Sequence, residues 1–241
     1  MRHTLIALMA LMAPLALAGQ WTPQTAGRLL DLHDRGQMAE ADTIAASLIA
    51  ADGIDRTMAA ADSCFFTAGS PTECEALYAL FLEHALAADS GSDMDDLYLW
   101  QLESVCEVNA EGTPAADFCF ALLDGPSETT LGQYVDGREL CLIFYDPDCQ
   151  HCAEVMAELQ GLSRLTRVLA VCTGSTPERW RQTATGLPRG WAAAFDRSSV
   201  QDDDTYVIRS FPSIYLIDKH GTVQMKNPSP RRLLHRLNSR K

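Results

Sequence analysis

Two cysteines two residues apart, in the stretch FYDPDCQHC from Phe144 to Cys152, have a type and spacing that can do chemistry. Such a pair can hold a metal, close a small disulfide, or drive thiol–disulfide exchange. Structural zinc normally draws on a second such pair or on a Cys/His pair, and the other six cysteines supply no second CxxC. A soft ion such as Cu(I), held by Cys149, Cys152 and His151, is a further option. For exchange, the attacking group is a thiolate. His151, if protonated, would add positive charge beside that thiolate and favour it, whereas Asp146 and Asp148 oppose it. Asp148 could instead cap a helix.

The flanking segments say how the motif is positioned. RELCLIFY, Arg138 to Tyr145, is a β-rich apolar run suited to a sheet interior. In AEVMAELQGL, Val155, Met156, Leu159 and Leu162 fall on one helical stripe. The motif therefore sits at a strand-to-helix junction. Unpaired amides and the macrodipole would stabilise a Cys149 thiolate there, and Cys152, one turn on, would point inward.

Further strands are expected at ADFCFALLDG, which turns at Asp124-Gly125, at TRVLAVC, over Phe211 to Ile217, and at VQMK after a turn at His220 to Thr222. Helices are expected around Pro177 to Thr185 and at RRLLHRL. The order β-α-β-α-β-β-α predicts an α/β fold, a mixed central sheet flanked by helices.

An all-α region of about five helices is expected before it, from Gln24 to about Val108. Pro71 reads as the first turn of the helix ECEALYALFLEHALAA, and Ser92-Asp93 as the cap of DDLYLWQLESVCEV. At the amino terminus a short basic start, an apolar run from Leu5 to Leu17 and Ala16-Leu17-Ala18 predict a secretory signal cleaved after Ala18. That run is too short for a comfortable membrane span. The expected division is a signal peptide over 1–18, a helical domain over 19–110 and an α/β domain over 111–241. A 47% hydrophobic content suits a folded chain, and a net charge of −13 argues against nucleic acid or an anionic membrane as partner.

The α/β half resembles the thioredoxin superfamily, in particular its exported TlpA-like and ResA-like thiol–disulfide oxidoreductases. GTPAADFCFALLDG, Gly112 to Gly125, is similar to the opening hairpin of that branch, with Ala116 where proline is usual. LCLIFYDPDCQHC is similar to the core strand and redox helix, and SFPSIYLID to the segment carrying the family's cis-proline, at Pro212. The helical half resembles, more weakly, a helical domain of unassigned function found before such domains. The resemblance implies Cys149 as nucleophile, Cys152 as resolving thiol, His151 as a tuning residue and a cis Pro212 facing them. It implies protein thiols or disulfides and a redox partner protein as partners, and the bacterial periplasm as location. Nothing in the sequence requires an organic cofactor. Two features depart from the family. Ile143 stands where a buried acid is usual, leaving Glu154 or Glu158 as candidate proton acceptors, and the tryptophan before the motif is missing. The competing reading is a thioredoxin-fold scaffold that binds without catalysis.

Of the remaining cysteines, Cys64–Cys74 and Cys106–Cys119 are candidate disulfides. Cys141 and Cys172, at opposite ends of adjacent strands, are too far apart to bond. Asp202-Asp203-Asp204 lacks the ligand spacing of a calcium loop. Trp180 and Trp191 are expected to be packing residues.

Overall fold

The computed structural model describes residues 21–88 and 94–239, so the expected signal segment and the Ser92-Asp93 cap lie outside the described residues. Five α-helices come first among these residues: α1 (Pro23–Asp34), α2 (Met38–Asp52), α3 (Ile54–Ala61), α4 (Glu75–Ala87) and α5 (Asp95–Gln101). The chain continues past α3 and α5 into single π-helical turns, Asp62–Phe66 and Leu102–Cys106. Helix α4 is the centre of this region. Leu77, Tyr78, Phe81, Leu82 and Ala85 are all buried on it, because its sequence is apolar around most of its girth.

Helix α4 begins at Glu75, not at Pro71, with Cys74 as its N-cap. The reason is local competition for hydrogen bonds. The hydroxyls of Ser70 and Thr72 donate to the Cys64 carbonyl at 2.6 and 2.8 Å, and the Cys74 N–H donates to the Phe65 carbonyl at 2.9 Å. Residues 69–73 are thereby held as a turn.

The second half is a seven-stranded sheet. Its strands are β1 (Cys119–Leu122), β2 (Thr129–Thr130), β3 (Leu140–Tyr145), β4 (Arg167–Cys172), β5 (Ala192–Asp196), β6 (Ser213–Ile217) and β7 (Val223–Lys226). Their spatial order is β2-β1-β5-β4-β3-β6-β7. β3, β4 and β5 are parallel, while β1, β2, β6 and β7 join antiparallel. The helices of this half are α6 (Leu131–Val135), α7 (Gln150–Glu158), α8 (Pro177–Thr183) and α9 (Pro230–Asn238). Every residue of β3 is buried, as the apolar run requires of a central strand. Two cores line the sheet, one with Cys152 and Met156 of α7 and Leu159 at its end, the other with Phe120, Phe144 and Tyr206. The helical half has a separate core built around Leu29, Phe65 and Phe81. Trp180 and Trp191 are buried in the α7 core.

Strand β5 is absent from the sequence expectation. Its segment, AAAFD, carries little β propensity, and pairing with β4 on one side and β1 on the other makes it a strand.

The two halves meet through buried charge. Glu75, 3% exposed at the start of α4, lies 2.7 Å from Lys226 Nζ and 3.0 Å from Arg209 Nη2, and accepts from Asn227 Nδ2 at 2.9 Å. Lys226 Nζ also donates to the Val105 and Val108 carbonyls at 2.6 and 2.7 Å. Nearby, Arg232 of α9 lies 2.8 Å from Asp34, and His33 Nε2 lies 3.0 Å from Glu111. All eight cysteines are free thiols, so neither Cys64–Cys74 nor Cys106–Cys119 is bonded. Cys141 pairs in register with Val168 and Cys172 with Tyr145, four residues apart along the same two strands, and both are buried.

Candidate active site

Strand β3 ends at Tyr145, and Asp146-Pro147-Asp148 carry the chain to α7. Cys149 is the N-cap of that helix, and its Sγ accepts the Cys152 N–H at 3.1 Å. Asp148 is thus not the cap. Its carboxylate lies against the Arg179 guanidinium of α8, and that hydrogen bond holds its carboxyl below the usual range. The sulfur replaces the carboxylate as acceptor for an orphan helix amide.

The antiparallel pairing of β6 with β3 puts Phe144 opposite Ser213. Residues 211–212 therefore lie just beyond the end of β3, beside the start of α7. The Phe211–Pro212 peptide bond is cis, and the Cys149 thiol donates to the Phe211 carbonyl at 3.7 Å. Three of the four expected site residues, Cys149, Cys152 and Pro212, thus converge on one edge of the sheet.

The two sulfurs differ in environment. Cys149 is half-buried, whereas Cys152 is 2% exposed and faces the core with Val155 and Met156. Burial pushes the Cys152 thiol up to about 12, with the Cys149 hydrogen bond and the Asp146 charge adding to the rise. Cys172 is also pushed up to about 12, by burial and then by the Asp146 charge.

His151 does not line the cleft that holds the two sulfurs. It is mostly exposed on the outer face of α7, with Nδ1 3.8 Å from Glu154 Oε2. Glu154 and Glu158 share that outer face, away from buried Cys152. Ile143, where the resembled family has a buried acid, is fully buried in the same core as Cys152. The carboxylate nearest the buried thiol is Asp146, read from sequence only as a charge opposing the thiolate and not as a proton acceptor. It lines the same cleft as Cys149 and Cys152, and its Oδ1 accepts the Asp148 N–H at 2.8 Å. Its side chain rests against Gly174, where a Cβ would lie 2.6 Å from Asp146 Oδ2 and 2.9 Å from its Cβ. Only glycine leaves room there. The signal in the sequence was a glycine two residues past β4, legible only once β4 is known to lie beside β3.

The cleft beside Cys149 encloses about 930 Å³. Met156, Leu187 and Pro188 give it apolar walls, and Arg164 and Arg189 stand at its far end. Among the described residues, no group of three or more His, Cys, Asp or Glu side chains is placed to hold a metal. His151 and the two sulfurs, in particular, form no such cluster.

This fold has solved counterparts. A thioredoxin-like protein from Bacteroides caccae matches over 88% of this chain and 84% of its own, with 22% identity and a TM-score of 0.69. The chain has a thioredoxin-like fold. The overlap is larger than the sheet half alone can supply, so the likeness includes helices that precede it. The thioredoxin domain of a thiol-disulfide oxidoreductase from Bacteroides vulgatus matches 54% of this chain and 96% of its own, at 18% identity and a TM-score of 0.45. A conserved protein of unknown function from Bacteroides fragilis matches 53% of this chain and 98% of its own, at 29% identity and a TM-score of 0.48. No family model matches the sequence, and no curated protein does.

Proposed function

We propose that this chain is an exported thiol–disulfide oxidoreductase of the TlpA-like and ResA-like kind, acting on protein thiols and disulfides in the bacterial periplasm. A helical domain over 19–110 precedes a thioredoxin-like domain over 111–241, a division supported by their separate cores. Export rests on the signal pattern of residues 1–18. Among the described residues no helix is long and apolar enough to cross a membrane.

The observation that carries the reading is the asymmetry of the two sulfurs. Cys149 is accessible, capped by an amide and faces the Phe211 carbonyl, while Cys152 sits buried directly behind it. In the reductive direction, the Cys149 thiolate attacks one sulfur of a client disulfide. A Cys149–client bond forms, the client S–S bond breaks, and one client thiolate leaves. Cys152, deprotonated, then attacks the Cys149 sulfur, closing the Cys149–Cys152 disulfide and releasing the second client thiolate. Two electrons pass to the client, and the two dithiol protons go to the departing thiolates. The reverse sequence oxidises a client dithiol.

The high pKa of Cys152 makes its deprotonation the demanding step, and Asp146 is the carboxylate placed to take that proton in the absence of a buried acid at Ile143. His151 acts on the long-range field over the helix start. No organic cofactor enters, since the two sulfurs hold both electrons.

The test is the reduction potential of the Cys149–Cys152 couple, by equilibration in glutathione buffers, alkylation and mass readout, with Cys149→Ser as control. A value near −270 mV marks a reductant and one above roughly −180 mV an oxidant or isomerase. A pair that never titrates sinks the reading in favour of a non-catalytic scaffold.

A further inference from the structure

A second, smaller groove of about 180 Å³ opens on the opposite face of α7 from the wide cleft. Both halves of the chain build it. Ser70, Pro71 and Glu73 of the helical half form one wall, His151 and Glu158 of α7 the other, and Pro212 lies between them. The helical turn is fixed in this place. Arg209, two residues before Phe211, donates from Nη1 to the Phe66 carbonyl at 2.5 Å. Its Nη2 lies 3.3 Å from Glu73 and 3.0 Å from Glu75, and its guanidinium sits 3.9 Å over the Phe66 ring. Asn227 ties the same Glu75 to the strand after Pro212, accepting from Ser213 Oγ at 2.7 Å and Ile214 N–H at 3.2 Å. Turn and cis-proline segment are therefore clamped together on either side of an open groove.

Two carboxylates line the groove: Glu158, exposed on α7, and Glu73, which shares Arg209 with Glu75. The wide cleft on the other face is opposite in sign at its far end, where Arg164 and Arg189 make no ion pair among the described residues. Among the described residues, no backbone hydrogen bond engages the N–H of Ser210 or Phe211 at the groove's lip. Unpaired backbone of this kind can pair with an added strand.

We propose that the helical half completes the client site: the 69–73 turn is one wall of a groove that receives an extended client segment with a basic residue beside its exchanging cysteine. This rests on the oxidoreductase reading and names its substrate class. The narrow groove admits side chains of an extended chain, not a folded surface, and its carboxylates select the sign of the charge.

The experiment uses full-length reduced protein and two unstructured peptides, each with one disulfide, carrying either Lys or Glu next to the cysteine. Hydroxyethyl disulfide serves as the functional control. The wild-type protein is expected to prefer the Lys peptide by about tenfold in kcat/KM, mostly through KM, and to lose that preference at high salt. Pro71→Trp, which fills the groove from the helical side, brings the ratio of the two peptides close to one. Glu158→Lys, at an exposed position, inverts it. Equal rates on the two peptides in wild type overturn the proposal, as does a ratio that survives Pro71→Trp. If wild type fails even on hydroxyethyl disulfide, the oxidoreductase reading falls first and takes the groove with it, an outcome distinct from exchange without selectivity.

Discussion

The junction between the two halves and the rim of the Cys149 cleft use the same residue types in opposite ways. At the junction Glu75, Lys226, Arg209 and Arg232 are withdrawn from water and answer one another at close range. At the rim Asp148 with Arg179, and His151 with Glu154, stand in solvent. A buried pair that loses one member leaves a charge with neither water nor partner, so the junction is structurally obligatory. A solvated pair is screened and contributes little to stability, so the rim can be altered at small structural cost. What rim charges do influence is whether a nearby sulfur ionises. Stability and reactivity are thus assigned to different groups, and mutation should separate them.

The largest expected effect is at Cys149. Cys149→Ser should abolish disulfide exchange, measured with a peptide disulfide, and leave the thermal midpoint unchanged. A retained rate would mean that another of the eight thiols does the chemistry. Next in size is Glu75→Gln, which leaves Lys226 and Arg209 short of their shared anion and should cost about 3–5 kcal/mol. The thermal midpoint should fall by roughly 10 °C. Loss of exchange at an unchanged midpoint would break the comparison, since it would make a junction residue a reactive one.

Much of this division can be read in the sequence, and the part that cannot has a physical cause. Six consecutive apolar residues announce β3, and the cysteine spacing after it places the helix start, because both signals are local. Pro212 is identifiable from the segment that carries it, and its peptide bond is cis. The Asp148 cap misled because cysteine is a rare N-cap, and a partner 31 residues away, Arg179, claims the carboxylate. Strand β5 lacks a local signal because its neighbours impose the conformation. The Glu75 cluster joins residues more than 130 apart, and no periodicity or motif reports such a contact. For the same reason the 69–73 turn could not be placed beside Pro212 from sequence.

Asp146 sharpens the comparison from the reactive side. Asp146→Asn removes the carboxylate in the cleft shared with Cys152 and should prolong the Cys149–client mixed disulfide by about tenfold, read by acid quench and mass analysis. An unchanged lifetime would remove Asp146 from the proton path. His33 sharpens it from the buried side. Burial alone would lower its pKa, but Asp34, Cys74 and Glu111 overcome that and raise it from 6.5 to about 12. A raised pKa means the folded state holds the proton more tightly than the unfolded state. The stabilisation is therefore complete below pH 6.5 and is lost progressively as pH rises toward 12. His33→Gln should lower the midpoint by a few degrees at pH 6, with the gap narrowing by pH 10 in paired melting curves. A gap independent of pH would show that the imidazolium charge is not what matters there.

The smallest effect is the most demanding test of the separation. Arg179 neutralises Asp148, the residue immediately before Cys149. Arg179→Ala frees that carboxylate and places an uncompensated negative charge next to a developing thiolate, which disfavours it. Because the pair is exposed, water and salt screen most of the change. The expected result is an initial alkylation rate at Cys149 about twofold lower near neutral pH, restored by high salt, with a thermal midpoint within about 1 °C of wild type. Asp148→Asn in the same background should return the rate, since the carboxylate and not the missing guanidinium is then the cause. A rate that stays low in the double variant would mean that Arg179 acts by holding the α7–α8 geometry, and the rim would share the structural duty assigned here to the junction alone.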